Sequence, residues 1–370
     1  MEKIFDVVIV GAGPAGTSTA ISLENSGLSV ALLDRAQFPR DKICGDALSV
    51  DVVNQLKILS PSLSCNFDDF DLKASSYGVR IFSPDSDYVD IPFIYKGEKK
   101  CGYTCRRLDF DNILIRHIAN IPNVQLFEGC DVHSIENKEN KIHVQTTHGT
   151  FISDIVIGSD GAHSVVAKNL MNAKPDKDHY CAGLRIYYEN VTFLHPENFI
   201  ELYFFRNVLP GYLWIFPLAD NKANVGIGML SSAISKKHIN LKEVLKSILS
   251  TDRGLKERFK FAKPLETVKG YGLPLGSKQR PLSGERFLLT GDAASLIDPF
   301  SGEGIANAMR SGRIGAQHAI HCFEKNDFSK QFNSQYDKEI YRRMWKELRL
   351  SRKLQNLCRY PWLFNLLVRK

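Results

Sequence analysis

Apolar positions along this chain follow two rhythms, and the switches between them predict its elements. Val7-Val8-Ile9-Val10 is a continuous apolar run that breaks into Gly11-Ala12-Gly13-Pro14-Ala15-Gly16 and resumes at helical spacing through Leu23. Unbroken β-branched runs read as buried strands, so this stretch predicts strand, tight turn and helix. Leu28 to Leu33 is a second strand of the same kind. Phe151 to Ile157 runs into Gly158-Ser159-Asp160-Gly161, and Arg286 to Thr290 into Gly291-Asp292-Ala293-Ala294, with helices opening at Ser164 and Ile305. Gly102 to Cys105 reads as extended before Arg107 to Leu114 turns helical, with Phe110, Ile113 and Leu114 on one face. Asn198 to Arg206 is aromatic-rich and reads as a strand. Near the end Tyr341, Met344, Trp345 and Leu348 recur at helical spacing among arginines and lysines, and Tyr360-Pro361 breaks and restarts the chain.

The first turn has the chemistry of a dinucleotide site. Gly11 permits the sharp turn, Gly13 lets the backbone approach a pyrophosphate, and Gly16 lets the helix pack on the strand, with Pro14 and Ala15 at the helix start. Asp34, 18 positions beyond Gly16, ends the second strand beside Arg35, where a carboxylate can bond a ribose hydroxyl. Arg107, at a strand-to-helix junction, reads either as solvated or as a grip on a cofactor's polar edge. The turn holding Asp160 and Gly161 is a second backbone site open to phosphate. Near residue 290, Gly291 and Asp292 with the loop Pro299, Gly302, Gly304 and Ile305 offer a carboxylate for ribityl hydroxyls and helix-start amides for the electron-rich end of a flavin; the segment alone equally suits a ligand-free turn.

At 370 residues and 44% hydrophobic, the chain has material for two or three domains with sizeable cores. The net charge of +7 is dispersed, with its clearest excess after Tyr341, and no nucleic-acid motif accompanies it. Eight cysteines include no CxxC pair, which argues against zinc or an iron–sulfur cluster, and no metal site is read. No secretory signal precedes the first strand, and no apolar run approaches the ~18 residues that span a bilayer. A cytoplasmic protein, or one peripheral to a membrane, is expected.

Taken in order, GxGPAG, Arg107-Leu108-Asp109-Phe110-Asp111, Gly158-Ser159-Asp160-Gly161 and Gly291-Asp292-Ala293-Ala294 resemble the para-hydroxybenzoate hydroxylase superfamily of FAD proteins. Two further stretches resemble elements of the geranylgeranyl reductase family: Pro39-Arg40-Asp41-Lys42-Ile43-Cys44-Gly45, and Tyr212-Leu213-Trp214-Ile215-Phe216-Pro217 followed by Gly226-Ile227-Gly228. The resemblance spans roughly residues 1–310. It implies an α/β fold: a doubly wound, Rossmann-like FAD domain from residues 1–70, 101–179 and 266–325, and a second α+β domain with a mostly antiparallel sheet from 71–100 and 180–265. Residues 326–370 form a C-terminal helical segment.

The family further implies a flavoenzyme that saturates carbon–carbon double bonds of isoprenoid lipids, its FAD reduced by NAD(P)H or another donor. Tyr212, Trp214 and Phe216 would line the substrate, although as residues they read equally as core. Cys44 is the proton donor that the pattern offers, with water held near Gly45 as its rival; alone, it reads as an inert buried thiol. A flavin monooxygenase or halogenase, and a non-catalytic flavin or lipid-binding module, remain alternatives; halogenases carry Trp-x-Trp-x-Ile-Pro where this chain has Tyr212 to Pro217. The basic C-terminal helix either packs its apolar stripe on the FAD domain or docks on a membrane surface.

Overall fold

The computed structural model describes residues 2–368. Its central sheet has the strand order Val124–Phe127, Val30–Leu33, Val7–Val10, Ile155–Gly158, Phe287–Leu289, Ser283–Gly284. The first five strands are parallel and the short last one antiparallel. Val7–Val10, Val30–Leu33 and Ile155–Gly158 are buried along their whole length, which is what their unbroken apolar sequence requires of strands covered on both faces. The same core takes in helices Pro14–Ser22, Arg107–Ile118 and Ile305–Lys325, and a four-stranded sheet that contributes Ile135, Ile142, Val144 and Phe151. Helices Pro14–Ser22 and Ile305–Lys325 touch through glycine: a Cβ on Gly312 would lie 2.4 Å from the Ala15 carbonyl oxygen.

A second, eight-stranded sheet is antiparallel except where Ile200–Tyr203 runs parallel to Gly78–Phe82. Along its strand Gly211–Leu218 the side chains alternate between two environments. Leu213 and Ile215 join a core with Leu241, Leu245 and Ile248 of helix Leu241–Thr251, while Tyr212, Trp214 and Phe216 point to the opposite face. Strand Lys269–Pro274, placed by the sequence with the cofactor segments, pairs instead with Tyr180–Glu189 of this sheet. Lys73–Ser76, grouped by the sequence with the substrate segments, pairs with Gly102–Cys105 in a small separate sheet. Neither short strand has an apolar alternation that would report its partner.

Helix Lys330–Leu357 lays its apolar stripe on the core: Met344 is 1% exposed and Leu348 2%. The break at Tyr360 leads into a final helix, Pro361–Val368. Among the described residues, no helix is long and apolar enough to cross a membrane.

Candidate active site

Strands Val7–Val10, Val30–Leu33, Ile155–Gly158 and Phe287–Leu289 end on one rim, the carboxyl side on which such sheets bind ligands. A cavity of about 660 Å³ joins this rim to the aromatic face of the second sheet. Its rim side is lined by Gly11, Gly13, Pro14, Ala15, Asp34, Arg35, Arg107, Asp160, Gly161, Asp292, Gly302, Gly304 and Ile305, and its sheet side by Cys44, Gly45, Tyr212, Trp214 and Phe216. Three expected site residues lie off the cavity wall. Gly16 is a packing residue, because a Cβ there would fall 1.8 Å from the Gly11 carbonyl oxygen. Gly291 packs against Ala15 and Ala308, and Pro299 borders a smaller neighbouring pocket, where its carbonyl accepts a 2.6 Å bond from Gln355 Nε2.

At the rim, Gly11 has φ +97°, and a Cβ on it would meet the Ser159 carbonyl oxygen at 2.4 Å, so both backbone and space demand glycine. Gly13 is open by contrast, its nearest neighbours being the guanidinium nitrogens of Arg40 and Arg107 at 3.7 and 3.9 Å from a built Cβ. Asp34 accepts from the Ala12 and Ala36 amides at 2.8 and 2.9 Å, and each oxygen keeps lone-pair capacity for a ribose hydroxyl. Arg107 is buried rather than solvated. Its Nε and Nη2 donate to Asp111 at 2.6 and 2.8 Å, and Arg40 Nη1 donates to the same carboxylate at 2.8 Å. Two cations thus share one anion beside the positive end of helix Pro14–Ser22, a setting that suits a diphosphate.

Asp160 does more than the expected backbone turn. Its Oδ2 caps helix Val165–Met171 by accepting from the Val165 and Val166 amides at 2.7 and 3.2 Å. Its Oδ1 is buried without a partner, and a buried unpaired oxygen calls for a donor from a ligand. Asp292 also faces the cavity, its carboxyl pushed up by burial and drawn back by Lys42 and Arg107. Lys42 sits 3.3 Å from the centre of the Tyr271 ring, and burial brings its ammonium down to about 8. The open Gly13, the orphan Asp160 oxygen and the helix start at Gly302 to Ile305 together fit FAD. Gly11 to Ala15, Asp34 and Arg107 could hold its adenosine diphosphate, and Asp292 with the Gly302–Ile305 turn its flavin end.

On the sheet side, two sequence elements far apart in the chain meet. A Cβ on Gly45 would lie 2.8 Å from Phe216 Cε2 and 3.7 Å from Trp214 Nε1. Trp214 stands directly across from Gly226, whose Cβ would strike the indole at 2.1 Å. The Gly-x-Gly of the second element is thus the bed of the tryptophan. Trp214 Nε1 donates to Asn224 Oδ1 at 2.8 Å, and Asn224 Nδ2 donates at 2.8 Å to both Asp46 Oδ2 and the Cys44 carbonyl. Asp46, at φ 66°, also accepts from the Tyr187 hydroxyl at 2.6 Å and the Arg107 amide at 3.2 Å. Burial nevertheless lifts its carboxyl to about 6. The Cys44 thiol is raised above the ordinary cysteine range, burial outweighing the nearby Arg107. Tyr212 donates its hydroxyl to the Ser301 carbonyl, tying the sheet to the loop after Pro299.

Comparison with known proteins places this cavity in a family. Residues 5–346 match the FAD binding domain model. The digeranylgeranylglycerophospholipid reductase of Methanocella arvoryzae is 30% identical over 96% of this chain and 88% of that one. The chain belongs to the geranylgeranyl reductase family of FAD-dependent oxidoreductases. The menaquinone reductase of Mycobacterium tuberculosis is 29% identical over 84% of this chain and 76% of its own length. The fold is shared with a geranylgeranyl bacteriochlorophyll reductase-like protein of Thermoplasma acidophilum, at a TM-score of 0.84 and 23% identity over 100% of this chain and 91% of the other. Solved flavin-dependent halogenases share the fold too, so the reaction has to be argued from the site.

In this family member, the residues that sequence reading missed are those whose meaning depends on a distant partner: Arg40, Lys42, Asp46, Asp111, Tyr187 and Asn224. Arg40, Lys42 and Asp111 fell inside motifs that could have signalled them; Asp46, Tyr187 and Asn224 did not.

Proposed function

We propose that this chain reduces carbon–carbon double bonds of a polyisoprenoid lipid, with FAD as the hydride carrier and NAD(P)H as its reductant. The observation that carries the reading is one continuous cavity with a polar cradle at one end and Cys44-Gly45 against Trp214 and Phe216 at the other. Relatives whose names specify an isoprenoid phospholipid and a menaquinone support this substrate class. When bound, the reduced flavin supplies a hydride.

An isolated alkene needs that hydride on one carbon and a proton on the other, in a dry, apolar setting. Tyr212, Trp214 and Phe216 exclude water and hold the chain. Cys44 Sγ gives the proton, because burial keeps it a thiol at neutral pH, and the thiolate then recovers a proton from solvent. Asp46 and Asn224 hold the Cys44-Gly45 turn in position through the bonds that converge on them. Mass spectrometry of lipid that copurifies from a mild extract tests the class: an isoprenoid chain is expected, and a small polar aromatic ligand would contradict it.

A further inference from the structure

The C-terminal helices carry a second apolar set besides the stripe that packs on the core. Leu350, Leu354 and Tyr360 are exposed, and Trp362 and Leu366 on helix Pro361–Val368 are 67% and 53% exposed. Trp362 and Leu366 are four residues apart and share one face of that helix. Phe364 and Val368, equally spaced, are buried on its other side in the cluster that contains Trp214 and Phe216. The Phe364 ring lies 4.6 Å from that of Phe204, and Asn365 Nδ2 donates to Asp85 Oδ2 at 2.6 Å, so the helix is seated. Its inner face therefore backs the aromatic wall of the cavity while its outer face presents tryptophan and leucine to water.

The charge of this stretch is one-sided. From Leu348 to Lys370 the sequence has Arg349, Arg352, Lys353, Arg359, Arg369 and Lys370, and no aspartate or glutamate. Exposed Trp and Leu among cations are the signature of a helix lying in the plane of a membrane interface, where the indole sits at headgroup depth and the cations meet anionic lipid. A second copy of the chain would bring the same cations to the same place, and like charges would oppose it.

We propose that the last turns of helix Lys330–Leu357 and the outer face of helix Pro361–Val368 dock on an anionic lipid bilayer. The docking deepens the reductase reading and takes its purpose from it: the helix that touches the bilayer also backs the cavity into which a lipid chain must pass. The test uses the FAD-loaded full chain and vesicles of phosphatidylcholine with or without phosphatidylglycerol. Co-sedimentation is expected with the anionic vesicles only, weakening at high salt and falling about tenfold or more in Trp362→Glu combined with Leu366→Glu. Flavin content and turnover of detergent-dispersed lipid should stay unchanged in that variant. Absence of binding to anionic vesicles, or unchanged binding by the double variant, overturns the proposal. The readout is binding alone, so a chain that binds vesicles yet reduces no alkene would contradict the reductase reading and leave the docking standing.

Discussion

Cys44 is the residue on which the proposed chemistry turns, and its surroundings make a prediction with a sign. Cys44→Ala should leave FAD binding intact and slow alkene-dependent flavin reoxidation by about a hundredfold, the lower range for loss of a positioned proton donor; stopped-flow absorbance reads this directly. A donor works only while protonated, and the thiol is raised above its ordinary range. The rate should therefore stay flat through neutral pH and be lost only as pH rises past that raised value. If Asp46, lifted to about 6, were the donor, the rate would already fall about tenfold per unit above that value. Arg107 makes the complementary point. Asp111→Ala would leave the buried Arg107 and the half-buried Arg40 guanidinium groups without their shared carboxylate, and a loss of about 3 kcal/mol in unfolding free energy is expected from denaturant titration. The sequence named Arg107 as a junction residue and could not choose between solvent and cofactor. The solvated reading fell to Asp111, four residues on, which Arg40 also bonds from 71 positions away.

Glycine spacing was the most legible signal among the elements. The turn at Gly11, the close helix at Gly16 and the rim turns at Gly161 and Gly302 could be read because only glycine satisfies those backbones, and a motif records residue type at short range. Gly312 was not legible, since its partner, the Ala15 carbonyl, lies nearly the whole chain away. Gly312→Ala should push helix Ile305–Lys325 off helix Pro14–Ser22, costing about 1–3 kcal/mol and reducing FAD retention, which thermal melts with and without added FAD would show. The antiparallel sheet was legible in its aromatic face but less so in its membership. Lys269–Pro274 has two glycines and too few apolar positions to announce that it pairs with Tyr180–Glu189. The C-terminal stripe at Met344 and Leu348 could be read as an amphipathic face, but its partner could not, because a helical repeat says which side is apolar and not what covers it.

Across the whole molecule, the two sheets divide the work: the parallel one presents a polar cradle and the antiparallel one an aromatic wall, and Cys44-Gly45 lies where they meet. The family follows from the chain-wide match, while the proposed reaction rests on this juxtaposition. Halogenating flavoproteins share the fold, so what distinguishes the proposed reaction is that reducing equivalents pass to a carbon–carbon double bond without oxygen. The most direct measurement is an anaerobic single turnover, in which the FAD-loaded chain is chemically reduced, mixed with a geranylgeranyl lipid, and followed by flavin absorbance and product mass. For the proposed reaction, flavin reoxidation is expected, matched by the gain of a hydrogen pair per bond saturated. Flavin that stays reduced until air is admitted, with oxygen or halogen then found in the product, would contradict it.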